Sequence, residues 1–265
     1  MALVAAVVAV AIIIAGFAAV ALNQGSNGGT SQKDLPAVVA AVTNVSPGVS
    51  SAVGTGNLPQ PLVATPPTAV LKGPTQKPEL LYIGAGYCPY CAAERWSIIV
   101  ALSRFGTFSD LKLAQSSSTD VYPNTPTFTF YGSSYHSDYL DFVPVEETGQ
   151  EQQTRLQTPT AAEQQLFRTY DAAPYTNSPG GIPFVDLANQ FITVSSGYSP
   201  QVLSGHSFTD IATALADPKA ATTQAIVGNA NYLTAALCHL TGNQPAAACT
   251  VAPIPDLVQH LPTAK

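Results

Sequence analysis

The residues of this chain best suited to chemistry are two cysteines separated by two residues, in the sequence Cys88-Pro89-Tyr90-Cys91. They follow an apolar run over residues 80–84, which predicts a strand, and precede residues 92–104, which predict a helix. The first thiol would therefore lie at a helix N-terminus, where free backbone N–H groups and the helix dipole favour a thiolate. Because the thiolate is the nucleophile of thiol–disulfide exchange, we predict that Cys88 is the attacking sulfur and that Cys91 resolves the mixed disulfide.

Two other roles remain open for this motif. A Cys-x-x-Cys sequence can be half of a zinc site, and it can also form a purely structural disulfide. The redox role is favoured by the preceding strand and by a later run, Gly180-Gly181-Ile182-Pro183-Phe184-Val185. Pro183 opens a predicted strand there, although proline cannot donate a hydrogen bond to a sheet, so its position calls for an explanation.

The strand, the cysteine motif, the helix and the later Ile-Pro pair together resemble the thioredoxin-like fold. That resemblance implies a cis peptide between Ile182 and Pro183, lying against the cysteines, with Pro183 shaping the cleft and nearby backbone pairing with a substrate chain. Tyr82 departs from the pattern, because thioredoxins often carry a buried carboxylate at that position. Water or another acid, such as Glu79, would then have to accept the proton.

A second pair of cysteines, Cys238 and Cys249, flanks a predicted helix end and loop. A disulfide here would close a loop of about a dozen residues and stabilise the chain by roughly 3 kcal/mol. We therefore predict a structural disulfide. A zinc site built from all four cysteines is disfavoured, because this pair lacks the short spacing of zinc ligands. The four histidines are not spaced as metal ligands either, so we predict no metal and no cofactor.

The composition indicates which binding partners and which cellular location fit this chain. The 265 residues carry a net charge of −6 and no cluster of Lys and Arg, which argues against nucleic-acid binding. Residues 2–22 are apolar or small and uncharged, long enough to span a bilayer core of about 30 Å. We predict a single-pass membrane anchor with the soluble domain outside the cytoplasm; a cleaved signal peptide is the alternative. Four cysteines fit such an oxidising location.

The predicted domain organisation has four parts. Residues 1–22 form a transmembrane anchor, residues 23–78 a tether and extended Pro-rich segment, residues 79–250 the folded domain and residues 251–265 a tail. An apolar pattern within residues 35–53 also fits a short docked helix. The predicted fold is α/β: a thioredoxin-like three-layer core with an inserted hairpin and helix and a C-terminal helical extension, preceded by the transmembrane helix.

The elements of that fold follow from the hydrophobic pattern. Residues 111–114 are expected to form the second strand of a parallel β-α-β unit, and residues 127–131 and 137–145 the inserted hairpin. Further helices are expected at residues 160–171, 207–216 and 219–240. Glu94 and Arg95, on the first helix, are interpreted as surface charges, with part of a rim over the active site as the alternative.

Residues 82–96, continuing to residues 101–106, resemble a prokaryotic family of uncharacterised proteins with an N-terminal anchor and a thioredoxin-like domain. The late run Cys238-His239-Leu240-Thr241-Gly242 adds to this resemblance, which extends over residues 35–250. It implies the fold and the location but no substrate.

Two functional hypotheses follow. The first is a membrane-anchored thiol–disulfide oxidoreductase that acts on exported client proteins together with a redox partner of unknown identity. The second is a non-catalytic interaction domain in which both disulfides are structural. The reduction potential of the Cys88–Cys91 pair separates them, because structural disulfides lie below about −300 mV.

Overall fold

The computed structural model describes residues 34–264, so the predicted membrane anchor at residues 2–22 lies outside the described residues. Within residues 34–264 no single helix combines the length and hydropathy needed to cross a membrane. The helices Leu35–Thr43 and Pro47–Val53 meet those criteria only as a pair, and a 64° bend separates them.

The described residues form a mixed α/β structure. The strands, in chain order, are β1 (Val63–Ala64), β2 (Glu79–Gly84), β3 (Gly106–Ser109), β4 (Lys112–Gln115), β5 (Pro126–Thr129), β6 (Ser134–Ser137), β7 (Asp141–Glu146), β8 (Phe184–Leu187) and β9 (Phe191–Thr193). The helices are α1 (Leu35–Thr43), α2 (Pro47–Val53), α3 (Pro89–Leu102), α4 (Ala161–Tyr170), α5 (Phe208–Ala214), α6 (Ala221–Leu240), α7 (Ala246–Cys249) and α8 (Ile254–Gln259), with a 3₁₀ helix at Pro200–Leu203.

A five-stranded mixed sheet in the order β1-β9-β8-β2-β7 forms the centre. Strand β2 runs parallel to β7 on one side and antiparallel to β8 on the other. Every residue of β2 after Glu79 is buried, which fits the continuous apolar run that the sequence shows there. The carboxyl end of β2 leads directly into α3, so the cysteine motif lies at the edge of this sheet.

Helix α3 is buried along nearly its whole length because it lies between the sheet and the long helix α6. The interpretation of Glu94 and Arg95 as surface charges is therefore wrong, since both side chains are 0 % exposed. Helix α6 packs over a face of α3 that would be exposed to solvent without α6. The C-terminal extension thus changes the environment of the helix that carries the cysteines.

The strand predicted at residues 111–114 forms at Lys112–Gln115, but its predicted parallel pairing with β2 is wrong. Residues 112–115 pair antiparallel with β5 in a separate two-stranded sheet, and the parallel partner of β2 is β7. The predicted hairpin does not form, because β5 pairs with β4 and β6 pairs with β3. Pro144 lies within β7, which is tolerated because β7 is an edge strand of the sheet.

The folded unit begins at Leu35, earlier than the boundary at residue 79 that the sequence suggests. Val38 and Val42 of α1 are buried in the same core as α3 and α6. Beyond residue 250, α8 packs on α6 and buries Ile254 and Leu257, so these residues are not a tail without structure. Cys238 and Cys249 are joined by the predicted disulfide, which connects the end of α6 to α7.

Candidate functional site

Cys88 is the N-cap residue of α3. Its Sγ accepts a hydrogen bond from the backbone N–H of Cys91 at 3.2 Å, which satisfies one of the free donors of the first helical turn. Pro89 occupies the first helical position, where its missing N–H costs no hydrogen bond. The helix therefore holds the Cys88 sulfur at its positive end.

The two thiols differ in their electrostatic environment. A hydrogen bond from the Cys91 thiol, with backbone N–H groups and the nearby charge of Arg95, lowers the pKa of Cys88 despite its burial. Complete burial, together with the hydrogen bond to Cys88, raises the pKa of Cys91 well above its usual value. Cys88 is consequently the sulfur that ionises first, and Cys91 is held as a neutral donor beside it.

The structure brings Pro183 to the same place. The Ile182–Pro183 peptide is cis, and the carbonyl oxygen of Ile182 lies 3.5 Å from the Sγ of Cys88. This proximity follows from the sheet register, because Phe184 of β8 pairs with Ile83 of β2, five residues before Cys88. Cys88, Cys91 and Pro183, which the sequence singles out separately, thus form one cluster.

Access to this cluster is narrow. Cys88 is 5 % exposed and Cys91 is fully buried, so a partner can approach only the Cys88 sulfur. Tyr90, between the two cysteines in the chain, is 37 % exposed. It meets Tyr122 edge to face, with ring centroids 6.2 Å apart.

Two loops from the segment between α3 and α4 attach to the backbone just before the cysteines. The N–H of Gly86 donates to the carbonyl of Thr148 at 2.7 Å, and the N–H of Ser117 donates to the carbonyl of Tyr87 at 2.8 Å. A side chain on Gly86 would collide with the backbone of Gly149, so the approach of these loops requires glycine there. Tyr122, whose ring meets Tyr90, and the exposed Val121 belong to the loop between β4 and β5, which forms an apolar rim beside Tyr90.

A buried ion pair lies beneath the cysteines. The Nε of Arg95 is 2.9 Å from the Oε1 of Glu146, and both side chains are at most 1 % exposed. The distance between the two atoms is that of an ion pair, but the Arg95 Nε–H is not aligned with the Glu146 oxygen for a hydrogen bond. Glu146 also accepts hydrogen bonds from the Thr129 hydroxyl and the Phe130 N–H, while an Arg95 NH2 group donates to the carbonyl of Ala85.

The sequence reasoning missed this pair, although one signal was present. Arg95 follows Cys91 by four residues and Cys88 by seven, the spacing that places side chains on one face of a helix. Glu146 gave no local signal, because only the register of β7 against β2 brings it opposite Gly84.

Tyr82 and Gly84 complete the buried floor. The Tyr82 hydroxyl is buried without a hydrogen-bond partner among residues 34–264. A Cβ on Gly84 would stand 2.3 Å from that hydroxyl and 3.1 Å from the Cys91 sulfur, so these two groups fill the space of a side chain at position 84. Burial raises the pKa of Tyr82 well above its usual value, which makes its hydroxyl a donor and not a proton acceptor.

The structure does not bring Glu79 to the cysteines. Glu79 begins β2, about 16 Å from the end of that strand at Gly84, given the rise of a strand. Burial and the neighbouring acids Glu163, Asp186 and Asp141 raise the pKa of Glu79 to about 7. It therefore belongs to a different acidic environment, and proton transfer from Cys91 through Glu79 is not possible in this arrangement.

The metal alternative gains no support from geometry. Across residues 34–264, no three or more side chains of His, Cys, Asp or Glu gather in an arrangement that would bind a metal ion. The second cysteine pair is occupied by its own disulfide.

A family model described as a domain of unknown function (DUF929) matches residues 72–239. No curated protein and no solved structure matches the chain. The matched region includes the cysteine motif, Arg95, Glu146 and Pro183.

Proposed function

We propose that this chain, which belongs to the DUF929 family, is a thiol–disulfide oxidoreductase with a thioredoxin-like core. The observation that carries the proposal is the position of the Cys88 sulfur. It lies at the N-terminus of α3, its pKa is lowered, and it stands 3.5 Å from the Ile182 carbonyl beside a cis proline. These features suit a sulfur that ionises readily and is attacked from one side.

The proposed reaction is an exchange in which sulfur atoms and electrons balance. The Cys88 thiolate attacks a client disulfide, forms a mixed disulfide and releases the other client sulfur as a thiolate. Cys91 then loses its proton and attacks the Cys88 sulfur, so the client leaves as a dithiol and the Cys88–Cys91 disulfide closes. A partner dithiol reduces this disulfide again. The same steps in reverse oxidise a client dithiol.

The topology of the sheet supports the thioredoxin-like assignment. The order β9-β8-β2-β7 has β7 parallel to β2 and the other neighbours antiparallel. Helix α3 follows β2, α4 lies between β7 and β8 in the chain, and helices follow β9. This is the arrangement that the resemblance in the motif and the Ile-Pro pair implies.

We further propose that clients are exported proteins and that the domain acts outside the cytoplasm, anchored by residues 2–22. The support is the Cys238–Cys249 disulfide, since such bonds persist in oxidising compartments. The apolar rim of Tyr90, Val121 and Tyr122 offers a contact surface for client chains next to the reactive sulfur.

The second candidate function is a non-catalytic interaction domain. It is favoured by the low exposure of the pair, since Cys91 is fully buried and Cys88 is only 5 % exposed. In that case the Cys88–Cys91 disulfide would be structural and would resist reduction.

Trapping of mixed disulfides tests the proposal. Cys91→Ser removes the resolving sulfur, so we expect covalent adducts between Cys88 and client proteins that disappear on treatment with reductant. Cys88→Ser is the matched control and should trap none. The reduction potential of the wild-type pair should lie above about −300 mV. A potential below that value, with no adducts in the Cys91→Ser variant, would establish the interaction domain instead.

A further inference from the structure

A cavity of about 470 Å³ lies at the opposite end of α3 from the cysteines. It is bounded by the junction of α1 and α2, by Ser103 and Arg104 just beyond α3, and by residues of α7 and α8. Helix α3 has 14 residues and is therefore about 20 Å long, so this cavity is separate from the cysteine site.

Arg104 is the charged side chain of this cavity, and neutral groups hold it. Its NH1 donates to the Thr234 hydroxyl at 2.7 Å and its NH2 donates to the Ser50 hydroxyl at 2.8 Å. Each hydroxyl donates its own hydrogen elsewhere, that of Thr234 to the Ala230 carbonyl and that of Ser50 to the Asn231 side chain. The guanidinium is therefore fixed in direction, while no carboxylate of the described residues lies within ion-pair distance of it.

The absence of a counter-ion is unusual for a group in this position. Among residues 34–264 Arg104 forms no ion pair, and the sequence of residues 1–33 contains no Asp or Glu. Burial lowers the pKa of Arg104 to about 10, which still leaves it charged at neutral pH, and part of the residue remains exposed to solvent. A largely buried charge is normally paired, so an anion from outside the chain that reaches the exposed part would satisfy this one.

A second polar group of the cavity is also unused. The Ser103 hydroxyl is buried without a hydrogen-bond partner in the described part of the chain, and Ser103 lines the same cavity beside Arg104. A guanidinium and a hydroxyl that line the same cavity supply N–H and O–H donors of the kind that a carboxylate accepts.

The geometry points to a binding site for a monoanionic carboxylate that carries a short aliphatic chain. Within residues 34–264, Arg104 is the one cationic side chain that lines the cavity, so a single negative charge balances it, whereas a phosphate group would add up to about two. Apolar residues make up about half of the wall, among them Val45, Ala248, Val251 and Ile254. The volume is near the lower end of small-molecule sites, which fits a short chain.

Two kinds of molecule carry such a carboxylate: a free aliphatic acid, and a peptide with its C-terminal carboxylate. Hexanoate represents the first and N-acetyl-alanyl-leucine the second. Hexanamide has the shape of hexanoic acid without the charge, and inorganic phosphate has charge without the chain. The four probes are titrated into the full-length chain at constant ionic strength, and the thermal unfolding midpoint is followed.

Binding to the folded state raises the midpoint with a concentration dependence that gives an apparent dissociation constant. We expect hexanoate to raise it and hexanamide and phosphate to leave it unchanged. A stronger effect of the peptide than of hexanoate would assign the site to C-terminal carboxylates. If none of the carboxylates raises the midpoint, or if hexanamide acts like hexanoate, the proposal is overturned.

Variants locate the site. Arg104→Gln should weaken hexanoate binding about tenfold or more, and Arg104→Lys, which keeps the charge, should weaken it less. Arg168→Gln removes an equal charge from an exposed position of α4 and should leave binding unchanged.

Since Arg104 links α2 to α6 and its loss could impair folding, Ala247→Phe provides an independent variant. Ala247 is exposed and lines the cavity, so the larger side chain should block hexanoate without disturbing the core. Unchanged binding in both Arg104→Gln and Ala247→Phe would contradict the site.

Discussion

Arg95 connects the cysteine pair to the charges buried beneath it. Its positive charge contributes to lowering the pKa of Cys88, and Glu146 compensates that charge inside the core. Removing Arg95 alone would leave the Glu146 carboxylate buried without a counter-ion, at a cost of about 3–5 kcal/mol. The function of Arg95 is therefore tested by removing both charges together.

In the Arg95→Met/Glu146→Gln double variant, we expect the pKa of Cys88 to rise toward the ordinary value of about 8.5. The glutamine oxygen can still accept the hydrogen bond of the Phe130 N–H, and its NH2 group can donate to the Thr129 hydroxyl oxygen, so the double variant should fold better than Arg95→Met alone. The measurement is the pH midpoint of alkylation of reduced Cys88 by iodoacetamide. Arg168→Gln is the control, and an unchanged midpoint in the double variant would show that the helix terminus and Cys91 suffice.

Gly84 gives a second prediction at the residue scale. Gly84→Ala should destabilise the fold by about 1–3 kcal/mol, because its Cβ would overlap the Tyr82 hydroxyl and crowd the Cys91 sulfur. Tyr82→Phe removes a buried hydroxyl that has no partner in the described chain, so alone it should be neutral or stabilising. Combined with Gly84→Ala it should recover only a small part of the loss, because phenylalanine keeps the ring carbon Cζ, which lies 2.6 Å from the added Cβ.

Urea unfolding of the two single variants and the double variant measures this coupling. Gly149→Ala is the matched control, since a Cβ there has ordinary contacts and its backbone is not left-handed. Additive effects of Tyr82→Phe and Gly84→Ala would mean that the hydroxyl does not cause the strain.

The cluster of Cys88, Cys91 and Pro183 could be predicted from sequence because each residue has a local signature: a helix N-terminus, a fixed spacing and a strand that opens with proline. Arg95 and Glu146 could not, because their importance depends on burial. Glu146 becomes a neighbour only through strand pairing, and Arg95 is hidden from solvent because its side chain packs over the Tyr82 ring and against Glu146 on the sheet.

At the scale of elements, the interface between α3 and α6 contains a carboxylate without a positive partner in the described residues. The Oε2 of Glu94 accepts hydrogen bonds from the Gly197 N–H at 3.0 Å and the Asn229 side chain at 2.9 Å. Burial raises the pKa of Glu94 to about 7 in spite of these bonds. The folded state thus binds this proton more tightly than the unfolded state does.

The raised pKa of Glu94 makes the free energy of unfolding depend on pH. Between about pH 4.5 and pH 7 the folded chain holds more protons than the unfolded chain, so the contribution of Glu94 to stability is full at low pH and is lost as pH rises through 7. A difference of about two to three pKa units corresponds to roughly 3 kcal/mol. Glu94→Gln should abolish this loss and be more stable than the native chain at pH 8.

The check is the free energy of unfolding of both proteins across pH 5 to 8. The difference between Glu94→Gln and the native chain should grow with pH, whereas the exposed Glu151→Gln should give a constant difference. A difference for Glu94→Gln that does not change with pH would show that Glu94 stays ionised in the fold.

Strand β7 shows why the sheet could be predicted only in part. Strand β2 carries a continuous buried apolar run, and β8 is buried throughout with Asp186 as its one polar residue, so both are recognisable in the sequence. In strand β7 four residues, including Pro144, are partly exposed, so its pattern is weak, while residues 111–114 show a clearer one. The hydrogen-bonding partner of an edge strand is decided by the packing of the whole sheet, which local pattern does not contain.

At the scale of the whole molecule, the helical segment before β1 is part of the core. Val38, Val42 and Val53 are buried against α3, α5 and α6. The turn after α2 lies directly on the backbone of α6, since a Cβ on Gly228 would stand 2.5 Å from the Thr55 carbonyl oxygen. The apolar pattern of residues 35–53 predicts a docked helix. The predicted domain boundary nevertheless lies at residue 79, because the many prolines that follow this segment are typical of a linker.

Deleting this segment should therefore destabilise the domain, even though the family match begins only at residue 72. In a chain that starts at residue 59, three buried valines are lost, at about 1.5–3 kcal/mol each, and the Asn231 side chain loses its acceptors at Ser50 and Gly54. The loss is comparable to the total stability of a typical domain, so we expect loss of cooperative urea unfolding. A chain that starts at residue 34 is the control and should unfold in one transition; equal free energies of unfolding for the two chains would mean that α1 and α2 are dispensable and that the core begins at β1.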